Sequence, residues 1–346
     1  MNAPKSLINK DLRIDTLRGL ACIFLVLFHI IGAGKQSGLK IDAGMLRDIN
    51  DLFSYVRMPL FTFLSGYVYA IRPFSSGSGA FIKGKVRRLL LPMLTVGTVF
   101  ALVQSLTPGS NRGVSDWSLL HIIPVAHFWF VEALFLIFIA VLLLEKLSLF
   151  SHKKSTLLVI ALAGLLFLTP LNTRYFAGSG ALYLLPFFLS GMFVKRFNVS
   201  GSILIGMGIM LGVIVALYFK FPDFNASKYQ RDLFTLLVGI AACTSLFFLS
   251  IKSFALSVIG QYSYAIYIFH VFFTAASRIF LYKVGVHDIS VIITLSLIFG
   301  LAGPIMIEHI LNMNAYTRTL FLGKRFDKNP PRPLPFTQLV RIFSRP

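Results

Sequence analysis

Apolar residues run almost unbroken for stretches near 20 residues, and short polar segments interrupt them along the whole chain. A helix rises 1.5 Å per residue, so about 20 residues cross the roughly 30 Å hydrocarbon layer of a bilayer. The pattern predicts ten spans, near 17–34, 51–71, 89–106, 127–145, 155–170, 181–194, 201–220, 232–250, 256–281 and 289–312. The expected fold is therefore all-α: a polytopic integral membrane protein with about ten transmembrane helices. A membrane domain is expected over 1–313, followed by a basic, Pro-rich tail over 314–346. Between spans two and three, SSGSG (75–79) reads as a flexible turn. No internal repeat is evident.

Composition supports this class. Of 346 residues, 56% are hydrophobic and 13% charged, where a soluble domain carries about 25% charged residues. The net charge of +20 would suit a nucleic-acid partner if it formed one patch, but it alternates between loops. Arg72, Lys83, Lys85, Arg87 and Arg88 share one segment without an acid, and Lys146, Lys153 and Lys154 share the next alternate one. Lys195, Arg196 and Lys252 mark the following two, and seven cations lie after Asn314. The intervening loops are nearly neutral. The positive-inside rule then places both termini in the cytoplasm, with anionic lipid contact as a by-product and no nucleic acid among the partners. The first apolar run follows a mixed-charge segment without a small-residue cleavage site, which argues against a cleavable signal peptide. Localisation in a bacterial inner membrane is expected. Cys22 and Cys243 both fall inside predicted spans, so neither a disulfide framework nor a metal site is expected.

Within the first span, Arg18 and His29 stand eleven residues apart. Eleven helical steps return to within roughly 20° of the start and climb about 16 Å. Both side chains share one stripe, one near the membrane edge and one in the span. Ionisable groups at such depth face a cavity or a partner. A snorkelling Arg and a packed, hydrogen-bonded His are the structural alternatives. Further constellations follow: RMPLFTFLSGY, with Ser65 and Gly66; KGKVRRLLLP, basic residues running into Pro92; HFWFVEALF, with His127, Trp129 and Glu132; and GQYSYAIYIFH, with Tyr262, Tyr264, Tyr267 and His270.

In this order the motifs resemble the acyltransferase-3 family, integral membrane enzymes that acylate extracytoplasmic carbohydrates. The resemblance spans roughly 10–312. Where the family's basic motif is Arg-x-x-Arg, this chain has Lys85-x-x-Arg88, with Arg87 alongside. The resemblance implies an O-acyltransferase that moves an acetyl or other short acyl group from acyl-CoA to a hydroxyl of a cell-surface or lipid-linked carbohydrate. No permanently bound cofactor is expected; acetyl-CoA, or another short acyl-CoA, is the donor substrate. His29 is the expected general base, since neutral imidazole takes up a proton near physiological pH. Arg18 would hold an anionic part of the donor, with Asp15 one turn earlier as its support. Glu132, a carboxylate near the start of its helix, either orients an imidazole or hydroxyl or forms a salt bridge to a neighbouring span. Lys85, Arg87 and Arg88 suit coenzyme A phosphates, although basic loops also merely set topology. Ser65, Trp129, Tyr264 and His270 are pocket candidates, with aromatic-belt anchoring as the alternative for the aromatic ones. Arg57 and Arg278 need partners, and Glu308 with His309 has no assigned role. A transporter or flippase is the rival class; it draws on the span count and the buried charges, and the missing repeats stand against it.

Overall fold

The computed structural model describes residues 11–34, 37–41, 43–107, 110, 114, 116–200, 208, 212 and 231–327. Apart from Gly208 and Gly212, the expected span at 201–220 lies outside the described residues, as does the Pro-rich end of the tail. In chain order the helices are α1 (Leu12–Ile31), α2 (Met45–Leu52), α3 (Ser54–Ile71), α4 (Ser78–Lys85), α5 (Leu91–Leu106), α6 (Trp129–Lys146), α7 (Lys153–Leu168), α8 (Gly178–Arg196), α9 (Leu233–Phe248), α10 (Phe254–Gln261), α11 (Ser263–Lys283), α12 (Ile289–Leu311) and α13 (Ala315–Leu322). A π-helical turn, Val86–Leu90, joins α4 to α5. Among the described residues there is no strand, only an isolated bridge between Leu120 and Ile123.

Among the described residues, six helical stretches are long and apolar enough to cross a membrane: Leu12–Ile31, Ser78–Leu106, Ala126–Lys146, Tyr175–Arg196, Ser263–Lys283 and Ile289–Leu311. The remaining expected spans differ for identifiable reasons. In α3, Arg57, Pro59 and Ser65 dilute the apolar run. With 16 residues each, α7 and α9 reach only about 24 Å. The expected span 256–281 is split at Tyr262 into α10 and α11.

Helix starts follow local chemistry. Asp11, Asp232, Asp288 and Asn314 accept from backbone N–H groups two or three residues on, at 2.7–3.1 Å for the closest contact of each, which satisfies donors left bare in the first turn. Packing between helices depends on glycine. α3 lies along α8, and α1 along α10. At the first crossing, a Cβ on Gly66 would overlap the Phe188 carbonyl, 2.8 Å from its carbon and 3.1 Å from the Met192 nitrogen. Gly191 stands in the same relation to Phe63, its Cβ 2.7 Å from the carbonyl carbon. Gly19 against Leu256 and Gly260 against Asp15 repeat the arrangement between α1 and α10. Small residues let backbones approach where hydrophobic burial gives helices in lipid little reason to associate. Gly66 sits within a continuous helix.

One end of the bundle carries the cations. Arg196 pairs with Glu145, which also accepts from the Tyr69 hydroxyl at 3.1 Å, tying α3, α6 and α8 together. Pro92 has no N–H to offer the Arg88 carbonyl four residues back, and the Tyr264 hydroxyl donates to that same carbonyl. Two motifs far apart in sequence thus meet at one backbone oxygen. The segment after Asn314 is not simply a tail, since α13 packs on α5 and α12. Lys324 then pairs with Glu308 at 2.7 Å and donates to Asn312 at 2.9 Å. Glu308 thereby gains a structural role. His309 turns Nδ1 to the Ile305 carbonyl at 2.8 Å.

Candidate active site

At the end of the bundle away from these cations, a cavity of 1360 Å³ opens. Its walls come from the C-terminal turns of α1 and α5, the N-terminal turns of α3, α6, α8 and α9, and one face of α11. Side chains around it include Arg57, Gln104, Asp116, Trp129, Asn172 and Tyr183. Aromatic faces stand beside amide, hydroxyl and charged groups in this lining. The turn over α1 is pinned from α2: Arg47 donates to the Gly32 carbonyl at 2.7 Å and forms a buried ion pair with Asp51 at 2.7 Å, while Asn50 donates to the same carbonyl at 3.2 Å. Gly32 itself takes φ +92, where a side chain would be strained, and its neighbour Ser37 holds the Ala33 N–H at 2.7 Å.

His29, in the last turn of α1, lines this cavity. Two more imidazoles pack against it. Ring centroids are 4.7 Å apart for His29 and His270, 5.1 Å for His127 and His270, and 5.8 Å for His29 and His127. His127 precedes α6 and lines the cavity; His270 is fully buried beneath. Both have a defined hydrogen position. His270 Nδ1 lies 2.8 Å from the Ile266 carbonyl and 2.9 Å from that of Tyr267. A carbonyl only accepts, so Nδ1 carries the hydrogen and Nε2 is a lone pair. His127 Nε2 lies 3.3 Å from the Ile268 carbonyl, which makes its Nδ1 the lone pair. Neither His270 Nε2 nor His127 Nδ1 has a partner among the described residues. Tyr267 ties the two elements together by donating from its hydroxyl to the His127 carbonyl. Among the described residues, no group of three His, Cys, Asp or Glu side chains is arranged to hold a metal ion.

The expected site residues divide. His29 and Trp129 line the cavity, and His270 lies outside the lining, packed against the two lining histidines His29 and His127. Arg18 does not join them: it pairs with Asp15 at 3.2 Å, well down α1 towards the cationic end. Sharing a helical stripe did not bring Arg18 and His29 into one site, because the stripe runs from one end of the bundle to the other. Ser65 donates to the Phe61 carbonyl in its own helix at 2.8 Å and is absent from the lining. Tyr264 is held at the Arg88 carbonyl, likewise outside it. Glu132 is buried and outside the cavity lining, and neither of its carboxylate oxygens has a partner among the described residues.

At the opposite end, Lys85 is turned inward with its Nζ 3.2 Å from the Phe138 ring centroid. Arg88 is exposed and Arg87 half-exposed on the π-helical turn. The sequence pattern missed the lining contributed by Gln104, Asp116 and Asn172, which sit at helix ends and in loops without a motif. Arg57, marked only as needing a partner, stacks on Phe28 at 3.7 Å and lines the cavity.

A family model described as an acyltransferase domain matches residues 11–309 of the chain. No curated protein and no solved structure matches it.

Proposed function

The chain belongs to the acyltransferase-3 family, and on that footing we propose that it is a membrane O-acyltransferase using acetyl-CoA, or another short acyl-CoA, to modify a carbohydrate hydroxyl. The acceptor is a cell-surface or lipid-linked glycan, and it enters the large cavity. His29 takes the proton from its hydroxyl as the oxygen attacks the thioester carbonyl. The C–S bond then breaks and the coenzyme A thiolate leaves, with the proton returning from the imidazolium to sulfur. Direct attack, with His29 as the base, is preferred over an acyl-His intermediate.

The observation that carries this reading is a histidine in the wall of a cavity that combines polar and aromatic groups. Arg87 and Arg88 suit the donor's phosphates, since guanidinium groups bind phosphate oxygens in pairs. Arg88 precedes the cavity residue Phe100 by twelve positions, about 18 Å along a helix. The donor's acyl arm therefore has to reach inward from the cationic end. With the basic segments cytoplasmic, coenzyme A meets Arg88 on the side where it is made and the glycan enters from the other face. A bacterial inner membrane fits this arrangement.

The test is purified protein in detergent with radiolabelled acetyl-CoA and candidate sugars. Transfer should occur, and His29→Gln, which keeps a hydrogen-bonding side chain but accepts no proton at neutral pH, should lower it by about 10²–10⁴-fold. Near-normal transfer by the Gln variant would remove His29 from the chemistry. Sugar binding without acyl chemistry under any condition would move the protein into the transporter class.

A further inference from the structure

The three histidines can be counted as donors and acceptors. Three neutral imidazoles bring three N–H groups and three lone pairs. Two of the N–H groups are committed, that of His270 to the carbonyls of Ile266 and Tyr267 and that of His127 to the carbonyl of Ile268. Two buried lone pairs, on His270 Nε2 and His127 Nδ1, have no partner among the described residues. A buried acceptor left unpaired is costly, and within the trio the N–H still uncommitted belongs to His29. The ring nearest His29 is that of His270, at 4.7 Å against 5.8 Å for His127.

We propose that His270 is a positioning residue for His29: its Nε2 lone pair accepts the His29 N–H and leaves the other His29 nitrogen bare towards the cavity. A small turn of the His29 ring about its last side-chain torsion, which is soft for an imidazole, closes the bond. The hydrogen on His270 is locked by two backbone carbonyls, so His270 cannot exchange its roles. It can only accept, and this imposes one tautomer on the base. When His29 takes the hydroxyl proton, the resulting imidazolium keeps its second N–H on His270. A base oriented by a third group is the general logic of activated catalytic pairs; here a neutral imidazole occupies the place a carboxylate often takes. This inference rests on the transferase reading for its catalytic consequence, but the tautomer itself is observable without turnover.

The experiment uses the full chain in detergent with ¹⁵N-labelled histidine. In the wild type, His29 should show a single tautomer by ring nitrogen shifts. His270→Leu, which fills the space without an acceptor, should give a mixture of both tautomers. It should also lower kcat by roughly 10–100-fold, less than loss of the base itself, with both KM values within about twofold. His270→Gln returns an acceptor oxygen near the Nε2 position and should recover most of kcat and the single tautomer. The double variant His29→Gln with His270→Leu should be no slower than His29→Gln alone. An unchanged His29 tautomer in His270→Leu overturns the proposal, whether or not activity falls, and so does an unchanged kcat. A tautomer shift seen in His127→Leu but not in His270→Leu assigns the role to His127 and overturns it equally. A protein that shows the tautomer shift but transfers no acyl group supports the positioning and removes the transferase reading.

Discussion

Gly66→Ala puts the architecture to its most direct test. The added methyl would overlap the Phe188 carbonyl and lie 2.8 Å from its carbon, where real Cβ atoms do not come under 3.0 Å. The opposing atoms are backbone, so no side chain can swing aside. α3 and α8 must part by roughly 1 Å locally, and a gap of that size forfeits a quarter to a half of the dispersion energy between facing atoms. The facing atoms belong to Phe63, Leu64, Phe188, Leu189 and Met192, all nearly or fully buried. Overpacking a well-filled core costs about 1–3 kcal/mol, and the upper end applies here. At about 2–4 °C per kcal/mol, a cost near 3 kcal/mol should lower the thermal midpoint in detergent by about 6–12 °C. Gly84→Ala is the matched control: nothing lies within 4 Å of its Cβ site in α4, and removing a helical glycine stabilises by roughly 0.5–1 kcal/mol. Intrinsic fluorescence melting of both variants measures the contrast. Equal shifts, or a drop in Gly84→Ala and none in Gly66→Ala, would refute the crossing argument.

Three further predictions concern the donor end, the orientation and pH. Arg88→Ala should weaken acyl-CoA binding about ten- to a hundredfold, the value of one charge-assisted contact, whereas Lys85→Ala should lower thermal stability and leave binding within about threefold, because its ammonium faces Phe138; calorimetric titration separates the two, and the reverse pattern would reassign the phosphate site. Cysteine placed at Ser76 should resist an impermeant thiol reagent in intact cells, with little background because Cys22 and Cys243 are buried; labelling there would invert the topology and the donor side with it. Burial holds the His121 imidazole below its usual value, so the unfolded chain binds more protons as pH falls past about 6.5 and stability is lost on acidification until the folded value is passed. His121→Gln, which can keep the bond to Thr98 seen at 2.9 Å, should shrink the drop in melting midpoint between pH 7.5 and pH 5, and an unchanged drop would count against His121 as its source.

Much of the fold was legible in the chain because a bilayer demands long apolar runs, and those runs survive in the sequence as a one-dimensional signal. α3 is less apolar than the other long helices because Arg57, which lines the cavity, and Pro59 fall in the same stretch. The site was harder to read. Periodicity correctly put Arg18 and His29 on one stripe, but a stripe has two ends, and only His29 reaches the cavity. His127 and His270 are 143 residues apart in sequence and meet His29 only through packing between α1, α6 and α11. Neither spacing nor composition carries that meeting, and the carbonyls that fix their tautomers are backbone groups available to any sequence. The contact of Lys85 with Phe138 was equally unreadable, because a neighbouring helix supplies the phenyl ring.

The glycine crossings separate what is inherited for shape from what is inherited for chemistry. A methyl introduced at Gly66, Gly191, Gly19 or Gly260 meets main chain, and no change of side chain opposite can relieve it. Such a substitution is undone by reversion or by moving a whole helix, so these four positions should drift slowly in any descendant that still folds. A descendant that lost His29 would keep them all the same. The FTFLSGY segment is then a mark of ancestry in the bundle, and under the proposed function the state of His29 and His270 is what would tell a living enzyme from a silent copy.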